Sequence, residues 1–461
     1  MHYFKAHKFP ILFIISSLLF YMAFAYDLQR TDTVKLISLY AALFFFYYKI
    51  LQFEKGNLKL LFCFGILSRL VFIVAIPNLS QDFYRFLWDG QLINNGINPY
   101  LHTPEELIAS GESLFPTAQQ LYKAMGALSA GHYSNYPPLS QLFYYLSSFF
   151  GQQNIMGSII FLRLSLIAAD VGILIIAQKI LTLLGQDKHK AYWYFLNPFI
   201  CIELVGNLHF EGLMLLFFLL GIYLLLERKW TGSAIAVALS IATKLIPLLF
   251  LPVLLRLLAK GTKAMKTKNK VNMQHWNFLR PLGYYSLTIA VAVATFIPFL
   301  SSELVQKYLG TIGLWFHNFE FNASFYYLIR EIGFLYKGYN IIDLAGLKMA
   351  VVVLVFILLI SVIRKNEKPN IVMSTMLFAI TFYLAFTTTL HPWYVATPLL
   401  LCVFTNYKFP VVWSFIVALS YLAYSQPNFE ENPWILTLEY LVLYGCFIKE
   451  VYLKQPILRH L

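Results

Sequence analysis

The feature that most constrains this chain is a series of apolar runs, each long enough to cross a lipid bilayer. The first three occupy residues 9–25, 34–53 and 58–76, and similar runs recur along the rest of the chain. A hydrocarbon core about 30 Å thick needs roughly 20 apolar residues in a helix. Only 12% of the 461 residues are charged, against about 25% in soluble domains. The sequence therefore predicts a polytopic α-helical membrane protein, and we predict no nucleic-acid partner despite the net charge of +13.

The distribution of Lys and Arg predicts the orientation of the spans, because cytoplasmic loops retain basic residues. With the N-terminus in the cytoplasm, the inside segments hold 22 Lys and Arg and the outside segments hold seven. The largest basic run, KGTKAMKTKNK at residues 260–270, then falls in a cytoplasmic loop. This scheme requires residues 139–150, which are too few to cross, to lie along the outer surface. We predict an all-α transmembrane bundle of about 12–14 spans, in a bacterial inner membrane, with both termini cytoplasmic.

Two large extracytoplasmic loops, predicted to bear short interfacial helices, follow from this orientation. They cover residues 77–153 and 301–343. The sequence shows no internal repeat and no separate soluble domain, so residues 1–461 are treated as one membrane domain. The four cysteines all lie in apolar runs without metal-ligand spacing, and we assign no metal ligand.

The first outer loop opens with the polar and aromatic stretch SQDFYRFLWDGQLINNGINPY, residues 80–100. Asp82 and Asp89 lie seven residues apart within it, among aromatic side chains. Seven residues make two helical turns, so both carboxylates are predicted on one face of a helix. Acids further along the loop, such as Glu105, lack this aromatic setting and are predicted to be solvated.

Other candidate residues come from short outer connections far away in the sequence. The segment GNLHFEG carries His209 and Glu211, ATKLIP carries Lys244, and TLHPWY carries His391. The predicted topology delivers all of them to the side that holds the first outer loop. The sequence therefore predicts a site at the outer membrane surface.

Two charged residues inside a predicted span need a separate explanation. Arg163 and Asp170 lie seven residues apart within residues 159–184. Charged side chains are costly in lipid. We predict that these two form a structural pair or line a cavity.

The motifs together resemble the glycosyltransferase-C superfamily, in which membrane enzymes use polyprenyl-phosphate sugars. Bacterial mannosyltransferase-like members have a first outer loop with an Asp, an aromatic residue and Arg, then Trp-Asp-Gly and Asn-Pro-Tyr. This chain has the corresponding residues Asp82, Tyr84, Arg85, Trp88, Asp89, Gly90 and residues 98–100. The segments NYPPLSQ, LNPF, GNLHFEG, ATKLIPLLFLP and HPWY extend the resemblance over most of the chain.

The resemblance implies transfer of a sugar, mannose in the first instance, from a polyprenyl-phosphate donor to a lipid-linked or glycan acceptor outside the cytoplasm, with inversion. Such a reaction needs a base for the acceptor hydroxyl and cations for the departing phosphate. We predict Asp82 as the base and Asp89 as a second catalytic residue that orients the acceptor. The predicted substrate-binding residues are Tyr84, Arg85, Trp88, His209, Glu211, Lys244 and His391.

A divalent cation, Mg²⁺ or Mn²⁺, is left open as a cofactor. Many relatives carry a second acid beside the first Asp, and this chain has Gln81 there, which weakens a metal-binding Asp pair. The membrane lipids are expected partners in either case.

Two other classes of protein also remain open. A polymerase or ligase of lipid-linked glycans would carry its major outer loop late in the chain, rich in Arg and His. A transporter would show an internal repeat and charged or broken helices near the midplane of the bilayer. The converging acids and bases at one surface favour a glycosyltransferase over both.

The charge distribution yields a direct test of orientation. A single cysteine introduced at Lys268 should react with a membrane-impermeant thiol reagent only after the membrane is opened. A cysteine at Thr117 should react in intact cells. If both positions label from the same side, the predicted topology is wrong.

Overall fold

The structure is a computed structural model that describes residues 7–111, 114–260, 277–317, 319–425 and 429–457. Within these ranges the chain is all-helical, which confirms the predicted fold class, and the one isolated β-bridge joins Phe321 to Thr389. Most of the basic run at residues 260–270, including Lys268, lies outside the described residues. The α-helices in chain order are α1 (Lys8–Tyr26), α2 (Thr33–Phe53), α3 (Leu58–Leu70), α4 (Asp82–Asn94), α5 (Pro104–Ala109), α6 (Ala118–Ala130), α7 (Pro138–Phe150), α8 (Ile155–Leu183), α9 (Tyr192–Phe195), α10 (Glu211–Leu226), α11 (Trp230–Thr243), α12 (Leu251–Lys260), α13 (Leu279–Ala294), α14 (Leu304–His317), α15 (Phe325–Lys337), α16 (Ile342–Ile363), α17 (Pro369–Ala385), α18 (Ala396–Cys402), α19 (Phe409–Ile416) and α20 (Pro433–Phe447).

Five helices in the described part of the chain are long and apolar enough to cross a membrane. They are α1, α2, α8, α16, and α13 together with the turn that follows it, Leu279–Phe299. The π-helix Ile200–Gly206 and α10 meet at 106° and together form either a sixth, broken span or a re-entrant loop. Four shorter apolar helices accompany them, at Trp230–Thr243, Pro369–Ala385, Pro392–Cys402 and Phe409–Tyr424. The polytopic bundle is confirmed, and the count of 12–14 spans stays a prediction.

Arg163, in α8, donates hydrogen bonds to backbone carbonyl groups at two places where a helix is interrupted. The predicted span at residues 58–76 ends its helix at Leu70, and Arg163 Nη1 donates to the carbonyls of Ile73 and Ala75 at 3.0 and 2.7 Å. The same guanidinium donates to the carbonyls of Val205 and Gly206 at 3.0 and 2.8 Å, where the π-helix ends. Backbone groups shielded from water need such partners. One buried side chain therefore stabilises both interruptions.

Asp170 pairs with Arg69 of α3 rather than with Arg163. Arg69 Nε lies 2.9 Å from Asp170 Oδ2, and neither side chain is exposed. The remaining Arg69 nitrogens donate to the carbonyls of Gly65 and Phe195 at 2.8 and 2.7 Å. The prediction of an Arg163–Asp170 pair is therefore wrong. The seven-residue spacing of Arg163 and Asp170 could not reveal that Arg69, from a different helix, is the partner of Asp170.

The first outer loop folds around its own small apolar core, formed by α4, α6, α7 and part of α8. The rings of Phe86 and Tyr144 stack at 4.7 Å between α4 and α7. At Gly90 a Cβ atom would come within 2.2 Å of the Tyr144 carbonyl oxygen, so only glycine allows this close approach of the two helices. Ser140 Oγ donates to the Thr243 carbonyl at 2.8 Å, which fastens α7 to the end of α11.

Helix α7 corresponds to the segment predicted to lie along the surface. It has 13 residues, too few for a span. It exposes a group of large apolar side chains, Leu142, Phe149 and Phe150. These features fit an interfacial helix.

The Asn-Pro-Tyr motif joins the first outer loop to the second. Asn98 Nδ2 donates to the Phe299 carbonyl at 3.0 Å, and Lys307 Nζ donates to the Leu101 carbonyl at 2.8 Å. The buried ring of Tyr100 packs edge-on against Phe299 at 5.1 Å. The Asn-Pro-Tyr motif of the first outer loop therefore anchors the second outer loop.

Contacts at the two ends of α1 and α2 show which side of the bundle holds the first outer loop. At one end, His7 Nδ1 lies 2.5 Å from Glu54 Oε1. At the other end, Arg30 donates to the Leu79 carbonyl at 3.2 Å and lies over the Tyr424 ring at 3.9 Å. The end that holds Arg30 is thus the end that holds the first outer loop.

We expect the Arg69–Asp170 pair to be essential for stability. Arg69→Met leaves the Asp170 carboxylate buried without its cation, a change that costs about 3–5 kcal/mol. The exposed Lys35–Asp27 pair supplies the control, because Lys35→Met should cost at most about 1 kcal/mol. Thermal unfolding of the purified proteins in detergent measures the difference. Equal melting temperatures for the two variants would contradict the assignment.

Candidate functional site

Asp82 is the first residue of α4, the next helix after α3 ends at Leu70, and it lies at the side of the bundle that holds the first outer loop. Its backbone N–H donates to Ser80 Oγ at 3.2 Å. Burial raises the pKa of the Asp82 carboxyl from 3.8 to about 6, the positive charges of Lys244 and Arg30 act against this rise, and Glu211 adds to it. Among the described residues, no donor lies within hydrogen-bond distance of the carboxylate. Asp82 is therefore a partly desolvated carboxylate that accepts no hydrogen bond from the described residues.

Lys244 and Glu211 form an ion pair next to Asp82. Lys244 Nζ lies 2.5 Å from Glu211 Oε1, and the Glu211 side chain is fully buried. Glu211 occupies the first turn of α10, where the helix dipole favours a negative charge, and Lys244 follows the last residue of α11. The Lys244 ammonium also lies 5.9 Å from the centre of the Tyr394 ring. The antiparallel packing of α10 and α11 thus delivers both residues to the same place.

His209 and His391 meet on the indole of Trp393. The His209 ring stacks on Trp393 at a centroid distance of 3.6 Å, and the His391 ring lies at 4.6 Å. Burial, reinforced by the charge of Lys244, lowers the pKa of His391 to about 3. His391 is therefore neutral at physiological pH, and it can bind an anion through an N–H group but not through a positive charge.

Arg85 and Asp89 form a buried network one and two turns further along α4. Arg85 Nε lies 2.7 Å from Asp89 Oδ1, and the second carboxylate oxygen accepts from Ser134 at 2.5 Å and Gln141 at 2.9 Å. Arg85 also donates to the carbonyls of Ser129 and His132 at 2.7 and 2.8 Å. This network holds α4 against the segment that connects α6 to α7.

The two aromatic candidates of this stretch differ in exposure. Trp88 is completely buried and packs edge-on against Phe115 at 5.1 Å. Tyr84 is partly exposed, with its ring next to that of Phe83. Trp88 thus belongs to the core of the first outer loop, while Tyr84 remains accessible.

The structure therefore divides the predicted site residues into two groups. Asp82, Glu211, Lys244, His209 and His391 come together from four separate segments. Arg85, Trp88 and Asp89 lie behind them, inside the first outer loop. Tyr136 packs edge-on against Phe86 of α4 at 5.0 Å, and burial raises the pKa of its phenol above the usual value.

Several residues of the site were missed by reasoning from the sequence. Tyr421 donates its hydroxyl to both oxygens of Glu203 at 2.8 and 2.9 Å, and His209 Nε2 lies 3.9 Å from the same carboxylate. Glu203 could have been found, since an acid within an apolar run is a candidate for function by default. Arg30 had only its outside position as a signal.

Comparison with known proteins finds similarity over a part of the chain that carries residues of this site. Residues 54–260 match the model of the MptA_B family, described as alpha-(1->6)-mannopyranosyltransferase, N-terminal domain. The matched region contains Asp82, Glu211 and Lys244 and ends before His391. Over residues 54–260 the chain is therefore mannosyltransferase-like, and its apolar helices are those expected of an integral membrane protein.

Two curated relatives are similar to this chain over part of their length. Alpha-(1->6)-mannopyranosyltransferase A of Mycobacterium tuberculosis is 24% identical over 173 residues, covering 37% of this chain and 32% of the relative. Alpha-(1->6)-mannopyranosyltransferase A of Corynebacterium glutamicum is 24% identical over 185 residues, covering 39% of this chain and 35% of the relative. The matches thus span about a third of each relative.

Replacement by Asn should have different effects on stability at Asp82 and at Asp89. The folded-state pKa of Asp82 is about 6 and its ordinary value is 3.8, so this residue reduces stability as pH rises through that window. Asp82→Asn removes the penalty and should melt no lower than the wild type at neutral pH. Asp89→Asn leaves the Arg85 guanidinium buried without its carboxylate and should cost about 3–5 kcal/mol. Thermal unfolding in detergent that ranks the two variants the other way round would contradict these assignments.

Proposed function

We propose that the protein is a membrane glycosyltransferase that moves a mannosyl group from a polyprenyl-phosphate donor to a hydroxyl group of a lipid-linked or glycan acceptor. The observation that carries the proposal is the position of the Asp82 carboxylate beside the Lys244–Glu211 pair. The names of the relatives support mannose as the sugar. The charge distribution of the loops supports transfer on the extracytoplasmic side of an inner membrane.

Asp82 is proposed as the general base. The acceptor oxygen attacks the anomeric carbon of the donor, its proton passes to the Asp82 carboxylate, and the bond between the anomeric carbon and the phosphate oxygen breaks. The electron pair of that bond leaves with the polyprenyl phosphate, and the configuration at the anomeric carbon inverts. A carboxyl group with a pKa of about 6 is ionised at neutral pH and is still a useful base.

Lys244 is proposed to hold the phosphate of the donor. Its ammonium has three donors, and the contact with Glu211 uses one of them. The lipid tail keeps the phosphate near the membrane surface, and Lys244 follows the last residue of α11 there. Neutral His391 and His209 add N–H groups or lone pairs on the Trp393 side, and the partly exposed ring of Tyr84 is available to a sugar face. Arg85, Trp88 and Asp89 are proposed to position α4, and with it Asp82.

The test is a transfer assay in membranes from cells that express the protein. One reaction contains polyprenyl-phosphate [¹⁴C]mannose and a lipid extract, and a parallel reaction contains GDP-[¹⁴C]mannose with the same extract. The proposal expects a new labelled glycolipid from the polyprenyl-phosphate donor and no direct transfer from the nucleotide sugar. Labelling only from the nucleotide sugar in membranes depleted of polyprenyl phosphate would contradict the proposed donor.

The proposed base makes a prediction about turnover. Asp82→Asn keeps the side-chain shape and removes basicity, so transfer should fall by about 10²- to 10⁴-fold at unchanged abundance. Glu105→Gln, an exposed acid in the same loop, is the matched control and should be nearly neutral. Asp89→Asn should reduce transfer per folded molecule less than Asp82→Asn does. Full activity of Asp82→Asn would show that the base lies elsewhere.

The same residue predicts a pH dependence. Because the pKa of Asp82 is about 6, kcat/KM should decline as pH falls through 6, where the base becomes protonated. Since the charge of Lys244 opposes the rise in the pKa of Asp82, Lys244→Met should move this decline to higher pH. The residual rate of Asp82→Asn should lack the decline. A wild-type profile that is flat between pH 5 and 7 would contradict the assignment of the base.

A further inference from the structure

A second polar cluster lies where the second outer loop contacts the last two apolar segments of the bundle. Its centre is Asn322, which is completely buried and has a positive φ of 45°. The Asn322 backbone N–H donates to Glu431 Oε1 at 2.6 Å, and its Nδ2 donates to Glu439 Oε1 at 3.2 Å. The Tyr440 hydroxyl donates to the Asn322 carbonyl at 2.5 Å. Two carboxylates from the C-terminal part of the chain therefore converge on one asparagine.

The side-chain oxygen of Asn322 is buried and has no hydrogen-bond partner. Asn322, Ser420, Glu431 and Glu439 are among the residues that line a cavity of about 20 Å³. A cavity of about 10–15 Å³ holds one water or an ion of similar size. An unsatisfied buried acceptor costs free energy, so a guest that presents positive charge or hydrogen-bond donors to these oxygens is favoured.

The charge around the cavity is unbalanced. Arg330, which lies over the Tyr327 ring at 4.3 Å, is paired with Glu320 and Glu331. In the described part of the chain no Lys or Arg lies within ion-pair distance of Glu431 or Glu439. Glu439 is 1% exposed, so solvent does not screen its charge.

We propose that this cavity is a binding site for a divalent metal cation with oxygen ligands, held by Glu431, Glu439 and the Asn322 amide oxygen. Carboxylate, amide and hydroxyl oxygens are the ligands of Mg²⁺, Ca²⁺ and Mn²⁺. Across the described residues no three His, Cys, Asp or Glu side chains come together as a metal site, so the amide oxygen and water complete the ligand set. The site is separate from the Asp82 cluster.

A cation at this position fastens the second outer loop to the C-terminal part of the bundle. Phe321, the neighbour of Asn322, exchanges backbone hydrogen bonds with Thr388 and Leu390 at 3.1 and 2.8 Å. Its ring lies 5.3 Å from that of His391. The cation therefore supports, from behind, the segment that carries His391, and it does so without contact with the reacting groups.

The test measures cation binding directly and does not depend on the proposed reaction. The purified full-length protein is stripped with EDTA, and Mn²⁺ binding is followed by the electron paramagnetic resonance signal of the free ion. The proposal expects one saturable site per chain that Mg²⁺ or Ca²⁺ competes for. Glu431→Gln and Glu439→Gln should each weaken binding by at least about tenfold, because each removes a charged ligand.

Two control variants locate the ion. Glu430→Gln changes an exposed acid next to Glu431 and should bind Mn²⁺ like the wild type, as should Asp82→Asn. Bound cation should also raise the melting temperature of the wild type, which remains informative if a cluster variant fails to fold. Absence of saturable binding to the wild type would show that the carboxylates are neutralised by protons and overturn the proposal. Loss of binding in Asp82→Asn with retention in both cluster variants would overturn it as well.

Discussion

The ion pair between Lys244 and Glu211 is the interaction on which the candidate site depends. A carboxylate as buried as Glu211 is strongly unfavourable without a cation, and a lysine at the end of an apolar helix is costly without an anion. Each residue therefore fixes the other. Because Glu211 is the first residue of α10 and Lys244 follows the last residue of α11, the pair also fixes the relative position of two helix ends. The charge that reaches Asp82 is set by this geometry.

The helix is interrupted before Glu211. This interruption is stable because other buried groups donate hydrogen bonds to the backbone carbonyl groups that it leaves without helical partners. Arg163 binds carbonyl groups on both interrupted segments, and Asn207 Nδ2 donates to the Ile202 carbonyl at 3.0 Å. Asn207 Oδ1 in turn accepts from the backbone N–H of Leu79 at 3.0 Å, close to the start of α4. The segment that leads into α4 and the segment that leads into α10 are thus joined to each other.

The sequence was informative about elements and much less informative about partners. Apolar runs predicted the helical bundle. The loop charges predicted a common side for five candidate residues that the structure brings together, Asp82, His209, Glu211, Lys244 and His391. Arg163 and Asp170 show the limit, because helical spacing gives the face of a residue and not which distant helix supplies its partner. The neutrality of His391 was equally hidden, since it follows from burial against Trp393 and from the charge of Lys244. Such long-range effects depend on tertiary packing.

Asp82 and Asp89 lie in the same helix, α4, but have different surroundings. Asp89 has both oxygens occupied by Arg85, Ser134 and Gln141, so its lone pairs are already committed to holding α4 in place. Asp82, two turns earlier, has no donor on its carboxylate among the described residues and sits where burial and the neighbouring acid oppose ionisation. A carboxylate must have a free lone pair to accept a proton from a substrate. The rigidity supplied by the Asp89 network therefore holds Asp82 in a defined position, and loss of that network would displace the proposed base although the Asp82 carboxylate itself is retained.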